Sequence, residues 1–324
     1  MPYAIKFHRT GGPEVFEWQE VTVDEPGPGE IRLQHTAVGL NYIDVYHRSG
    51  LYPAPLPAVP GLEAAGVVIA VGKGVTDLTV GDRVAYASGP LGAYSEERVM
   101  AADRVVKLPD NISDEVGAAM MLQGLTAQYL LRRTYAVKKG DTLLVHAAAG
   151  GVGLILCQWA KHLGATVIGT VGSADKAELA KEYGCDHPII YTQEDFQERV
   201  LEITHGQKVP VVYDSVGKDT FMKSLDCLSP LGLLVLFGQS SGNVPPFDLG
   251  ALSVKGSLFI TRPTLATYTA KREDLLKGAQ ELFEVVSQGI VKINIHQRYA
   301  LKDAAQAHRD LEARKTTGST ILKV

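Results

Sequence analysis

The chain has 324 residues, 45% hydrophobic and 21% charged, a composition expected of a soluble globular protein too long for one ordinary core, so two domains are expected. Its formal net charge of −4 gives no basic excess for a phosphate backbone, which argues against a nucleic-acid partner. No apolar run reaches membrane-spanning length, the start MPYAIKFHRTGG lacks a signal-peptide layout, and the three cysteines, Cys157, Cys185 and Cys227, form no CxxC pair, so core thiols in a cytoplasmic protein are expected.

Up to roughly residue 120 the chain reads as short strands broken by Gly and Pro. YAIKF, EIRLQHTAVGL, EAAGVVIAVG, DRVAYAS and RVVKLP are β-branched or alternating, with EPGPGE, YPAPLPAVPG and VGKGVTD as turns between them. This predicts a barrel-like β domain. From about Gly124 strands alternate with helices. TLLVHA, ATVIGTV, HPIIY, VPVVYDSV, GLLVLFG and SLFITR are the strands; GLILCQWAKHLG, KAELAKEYG, EDFQERVLEITHG and DTFMKSLDCLSPLG are the helices. Six near-continuous apolar strands joined this way predict an α/β domain, a doubly wound parallel six-stranded Rossmann sheet. REDLLKGAQELFEVVSQG, KDAAQAHRDLEARK and a last strand STILKV exceed that count and are expected to return to the first domain. The expected domains are residues 1–123 with 265–324, and residues 124–264.

The joint HAAAGGVG between the first parallel strand and its helix is nearly bare of side chains. Ala148, Gly150 and Gly153 occupy the glycine positions of G-x-G-x-x-G, with Gly151 and Val152 between the last two. A pyrophosphate would meet free N–H groups and the positive end of a helix dipole there. Gly150 would admit the phosphate and Gly153 would let helix and strand close. The plainer reading is tight strand–helix packing. The second strand ends in GTVGSADK, with no acid before Asp175 and with Ser173 and Lys176 after Gly172. A carboxylate there would suit a free ribose hydroxyl and repel a phosphate, so NADPH is the expected cofactor. Ser173 as a helix cap and Lys176 as a solvated charge is the alternative.

GLNYIDVYHRSGLYP, PGLEAAG, GDRVAY, HAAAGGVG, VVYDSVG and GSLFITRP occur in an order that resembles the medium-chain dehydrogenase/reductase superfamily, and within it the zinc-free, zeta-crystallin-like quinone oxidoreductases. The resemblance covers nearly the whole chain and implies a GroES-like catalytic domain beside the nucleotide domain. Zinc-dependent members carry G-H-E where this chain has Leu62 before Glu63, and a Cys in an earlier loop where it has LNYIDV. Glu63 and Asp44 without a soft partner make a poor zinc site, so no metal is expected.

The activity implied is NADPH:quinone oxidoreduction, with the quinone stacked on the nicotinamide in a cleft between the domains and hydride or single-electron transfer as variants. By resemblance Asn41 and Tyr46 face the nicotinamide end and Tyr52 lies nearby, Thr126 reaches the cofactor, and Lys176, Tyr191 and Arg314 surround the 2′-phosphate. Strand ends at Ser215 and at Phe237, Gly238 and Ser240 are expected to line the nucleotide site. Packing is the alternative for Tyr46 and Tyr52, and a solvated charge for Arg314. His47 and His146 are expected to be structural. An NADPH-dependent C=C reductase acting on enones or enoyl thioesters is the first rival. A non-enzymatic crystallin-like or RNA-binding protein is the second, disfavoured by the acidic balance. A homodimer through the edge strand SLFITR is expected.

Overall fold

The computed structural model describes Met1–Val324. Contacts divide the chain into two compact units, Met1–Leu125 with Thr269–Ser287 and Ile293–Val324, and Thr126–Tyr268 with Gln288–Lys292. The division falls a few residues later than expected from sequence, at 126 and 269 rather than 124 and 265. Gln288–Lys292 group with the second unit because the Gln158 side chain donates to Lys292 O (3.1 Å) and accepts from Lys292 N (2.8 Å).

The first unit begins with β1 (Tyr3–Lys6) and β2 (Glu17–Glu20), an antiparallel pair, and β3 (Glu30–Leu40). There follow α1 (Tyr42–Ser49), β4 (Glu63–Val71), β5 (Arg83–Ala87), β6 (Glu97–Ala101), β7 (Val106–Lys107) and α2 (Asp114–Tyr129). Strand β3 alternates buried and open residues over its first half, then stays buried to Leu40. It pairs with β4 and with β6, bulging twice against β4, and these partners wrap it into the middle of the sheet. LNYIDV, read above as a loop, is the start of a helix: Asn41 is the N-cap of α1, its N–H bonded to Asp44 Oδ2 (2.9 Å).

The second unit holds β8 (Thr142–Val145), α3 (Gly151–His162), β9 (Thr166–Val171), α4 (Ala174–Glu182), β10 (His187–Ile190), α5 (Phe196–Ile203), β11 (Val209–Asp214), α6 (Phe221–Asp226), β12 (Leu228–Leu236), α7 (Gly250–Val254), β13 (Phe259–Thr261) and α8 (Leu265–Tyr268). Its six strands lie in the order β10-β9-β8-β11-β12-β13 and every pairing is parallel, the doubly wound sheet expected from the alternation. Leu144, Ile168, Val212 and Leu234 are buried on four neighbouring strands, which is why those segments read as continuous apolar runs. One helix is shorter than predicted. DTFMKSLDCLSPLG stops being helical at Asp226, because Leu228 already pairs with Val209 and Leu231 adopts a positive φ of 62°.

The chain then adds α9 (Arg272–Ser287), β14 (Ile295–Ala300), α10 (Ala304–Glu312) and β15 (Ser319–Lys323) to the first unit. Strand β15 sits between β14 and β3, parallel to one and antiparallel to the other, so STILKV does return to the first sheet.

Candidate nucleotide and acceptor site

Of the residues predicted to hold a dinucleotide, Gly150–Gly153, Gly172, Ser173, Lys176, Tyr191, Ser215, Phe237, Gly238 and Ser240 lie at or just beyond the carboxyl ends of the parallel strands, and Asn41, Thr126 and Arg314 lie elsewhere. After β8 the chain turns through Ala147, whose φ of 55° is left-handed, so the bend falls one residue before the glycine-motif position at Ala148. Gly150 is the N-cap of α3 and has no side chain to occupy the first-turn N–H groups of Gly151, Val152 and Gly153. A Cβ at Gly150 would meet one atom, Ala147 O at 3.2 Å, so the cradle is open on its outer side. A Cβ at Gly153 would collide with the Ala147 carbonyl and stand 2.7 Å from Ala148 O. The two glycines therefore do different things: one leaves room for an anion, the other closes helix on strand.

At the end of β9, Ser173 is the N-cap of α4, yet its hydroxyl makes no capping bond, which leaves it for a ligand. A Cβ at Gly172 would lie 3.1 Å from the Tyr191 hydroxyl, so the missing side chain lets that phenol reach over the turn. Tyr191 is held by its N–H on Val171 O (3.1 Å) and is 43% exposed; Lys176 stands half-buried in the first turn of α4. Gly172, Ser173, Lys176 and Tyr191 thus form one polar rim with no carboxylate on the turn itself, a fit for an added phosphate.

The ends of β11 and β12 are locked by Asp214, a buried carboxylate that sequence reasoning passed over. Its Oδ1 accepts from Val216 N (2.7 Å) and Gly217 N (3.0 Å), and its Oδ2 from Thr220 Oγ1 (2.7 Å). Ser240 N donates to Ser215 O (3.1 Å) and Phe237 N to Asp214 O (2.8 Å), so Ser215, Phe237, Gly238 and Ser240 lie on two adjoining loops. Gly238 is needed there: a Cβ would come within 2.6 Å of Ser215 O. His146 is structural, bridging Thr170 Oγ1 and Ser224 Oγ at 2.9 Å each, and all three cysteines are buried.

In the first unit, Tyr46 and Tyr52 meet at 5.1 Å between ring centres, tilted by 59°, and Tyr42 packs on Tyr46 at 5.4 Å. Tyr46 and Tyr52 are therefore in contact at α1, and Asn41 caps the N-terminus of the same helix. Thr126 lies on α2 as the first residue of the second unit, and Arg314 follows α10 in the first unit with a left-handed φ of 58°.

Behind α1 lies a buried polar chain. The Arg48 guanidinium forms a two-pronged pair with Glu312 (2.9 and 2.8 Å) and donates to His308 Nδ1 (2.9 Å). A guanidinium only donates, so the His308 hydrogen sits on Nε2 and is given to the Tyr94 oxygen (3.0 Å); Tyr94 in turn donates to Asp44 Oδ2 (3.0 Å). Asp44 Oδ1 has no partner, and burial pushes this carboxyl up to about 7. Burial likewise pushes Glu63 up to about 8, against the hydrogen bonds from Asn41 and Leu122 N.

These shifts fix a stability profile. Folded Asp44 and Glu63 hold protons that the unfolded chain releases near pH 4, so above that their contribution falls as pH rises, up to about 7 and 8. Burial lowers His35 to about 4 and His308 to about 3, so below their ordinary value of 6.5 the unfolded chain takes up protons the folded one refuses, and their contribution rises with pH. The two effects oppose below pH 6.5 and only the carboxyls act above it. Calorimetry is expected to show the melting temperature falling between about pH 6.5 and 8, with Glu63→Gln flattening the upper part of that fall.

Two family models match the chain: an alcohol dehydrogenase GroES-like domain over residues 27–110 and a zinc-binding dehydrogenase over residues 151–274. A quinone oxidoreductase of Pseudomonas aeruginosa is 57% identical over 323 residues, 99% of each chain. A 2-haloacrylate reductase of a Burkholderia species is 50% identical over 333 residues, again 99% of each. The crystal structure of Escherichia coli quinone oxidoreductase complexed with NADPH superposes with a TM-score of 0.98 at 52% identity, covering 99% of this chain and 100% of that one.

Proposed function

The chain belongs to the quinone oxidoreductases of the medium-chain dehydrogenase/reductase superfamily, and from that premise we propose that it reduces a quinone with NADPH and without a metal ion. The observation that carries the cofactor assignment is the polar rim at the end of β9. It has a hydroxyl not used as a cap, an ammonium and a phenol, and no acid on the turn. Gly150–Gly153 would take the pyrophosphate, Thr126, Ser215, Phe237, Gly238 and Ser240 the nicotinamide half, and Arg314 the 2′-phosphate with Lys176 and Tyr191.

NADPH supplies a hydride, and one proton from solvent completes the hydroquinone. The protein's own part is to hold the acceptor. Tyr46 and Tyr52 offer ring faces and phenol hydroxyls to a quinone, and Asn41 offers its carboxamide to the nicotinamide end of the cofactor. Metal independence is supported by Leu62 in place of a ligand and by the engagement of the nearby carboxylates: both Glu63 oxygens and Asp44 Oδ2 already accept from protein donors. A quinone needs no Lewis acid, being electrophilic and becoming aromatic on reduction.

The 2-haloacrylate reductase at 50% identity favours one second reading, reduction of an activated C=C bond. A panel of benzoquinones, naphthoquinones, enones and acrylates decides between them. Quinones are expected to exceed enones by at least about tenfold in kcat/KM. Tyr46→Phe and Tyr52→Phe are each expected to raise the quinone KM a few-fold. Enones turning over faster, with both tyrosine variants silent, would reverse the assignment.

A homodimer through the nucleotide unit is part of the proposal. Strand β13 ends the six-stranded sheet, and Phe259 on it is 58% exposed. Phe259→Asp is expected to convert a dimer to a monomer in sedimentation; a wild-type monomer would remove the idea. The free buried thiols support a reducing, cytoplasmic setting, and no helix is long and apolar enough to cross a membrane.

A further inference from the structure

Four buried side chains of the first unit form a directed hydrogen-bond chain that the reaction above does not use. The Ser319 hydroxyl donates to Gln123 Oε1 (2.8 Å), Gln123 Nε2 to Asn41 Oδ1 (3.1 Å), and Asn41 Nδ2 to Glu63 Oε2 (2.6 Å). Leu122 N, which can only donate, takes Glu63 Oε1 (2.6 Å). Each carboxamide is polar in one direction, so the orientation of one fixes the next. With Glu63 ionised, both its oxygens accept and the chain runs as observed.

A proton from solvent on Glu63 Oε2 reverses every link. Asn41 must then present Oδ1 to Glu63, which turns Nδ2 toward Gln123 and makes Gln123 present Oε1. Gln123 Nε2 then faces Ser319, whose hydroxyl accepts and swings its hydrogen to Ala119 O, already 3.2 Å away. Two amide half-turns suffice, and each donor in the chain finds an acceptor in both forms.

We infer that Glu63 and Gln123 are positioning residues for Asn41, and that one proton on Glu63 reverses the order of donor and acceptor which the Asn41 carboxamide presents to its ligand. This rests on the placement of Asn41 at the nicotinamide end proposed above. Facing Glu63 are Asp44 from α1, Tyr94 from the segment before β6 and Tyr86 from β5, with His35 and Arg98 one hydrogen bond beyond Tyr86. From α2 come the N–H groups of Met121 and Leu122. Burial outweighs these donors and sets the midpoint at about 8, within a working range. Gly39 on β3 admits the carboxyl: a Cβ there would collide with Glu63 Oε2 and the Ala118 carbonyl.

The test follows the side-chain amide NMR signals of Asn41 and Gln123 in the ligand-free protein from about pH 6 to 9.5, with NADPH affinity measured by calorimetry over the same range. Both amides are expected to shift with one shared midpoint near 8, and the NADPH dissociation constant to change about tenfold across it, one hydrogen bond's worth. The quinone KM is expected to stay level. Glu63→Gln keeps an oxygen for Leu122 N and turns an N–H toward Asn41, locking the reversed order, so titration and pH dependence both vanish. Ser319→Ala removes a partner of Gln123 in both orders, the donor to Oε1 in the observed one and the acceptor of Nε2 in the reversed one; an orphaned N–H is the costlier loss, so the midpoint is expected to move down by less than about one pH unit. Untitrating wild-type amides, or Asn41 titrating without Gln123, would overturn the inference. Titrating amides with a flat NADPH affinity would instead put the fault in the cofactor placement of Asn41.

Discussion

Lys176→Glu is expected to lower kcat/KM with NADPH about 100-fold while changing that with NADH by less than about threefold. The size follows from two changes at one place. A charge-assisted bond to the 2′-phosphate is lost, about 2 kcal/mol, and a carboxylate now faces the phosphate's own charge. The specificity follows because a cofactor with a plain ribose hydroxyl loses no such bond, and the new carboxylate is the group such cofactors ordinarily meet at the end of the second strand. Ser173 and Tyr191 border the same turn, so the effect is expected to be confined to KM, the nicotinamide being at the other end of the dinucleotide. Steady-state kinetics with both nucleotides at one saturating quinone makes the comparison. Equal losses with the two cofactors would mean that Lys176 shapes the fold and reads no phosphate.

Gly150→Asp is expected to leave the melting temperature unchanged or slightly raised while weakening NADPH binding at least about 100-fold. The backbone at Gly150 is extended (φ −79°, ψ 175°), which aspartate adopts freely, and aspartate is a preferred N-cap. Its carboxylate would bond the same first-turn N–H groups that the pyrophosphate needs, and would repel what it displaces. Gly153→Ala is the contrasting variant. Its methyl would stand against the carbonyls of Ala147 and Ala148, so helix and strand must part, and a loss of about 3 kcal/mol of stability is expected. Calorimetry for both variants and nucleotide titration for the first check the pair. A destabilised Gly150→Asp that still binds NADPH would show that the joint is packing alone.

How far the sequence could be read follows from where each element's residues point. The four inner parallel strands were legible because they are buried and their apolar runs are nearly unbroken, and the edge strands β10 and β13 because they continue the same alternation with helices. Strand β14 was not: IHQRYA alternates between half-buried and exposed residues, so pairing with β15 left no apolar face to detect. Strand β6 was hidden for a similar reason, with three of the residues of ERVMA outside the core. The polar rim proposed for the 2′-phosphate was legible because most of it, Gly172, Ser173 and Lys176, is contiguous in the chain, with Tyr191 at the end of the next strand. The polar chain through Ser319, Gln123, Asn41 and Glu63 was not, because its members come from four elements and meet only by folding. Asp214 ends a strand and bonds its own turn, a local signal that an Asp just before Ser-Val-Gly does carry.

The position of β15 bears on how the protein is made. Leu40 pairs with Thr320 across about 280 residues, and Ile321 and Leu322 are fully buried beside it. During synthesis the second unit emerges almost entire, Gln288–Lys292 included, while the first still lacks an interior strand of its sheet, the one between β14 and β3. Until the ribosome delivers residues 319–323, β3 keeps one apolar border without a neighbour, and that border is where a chaperone would be needed.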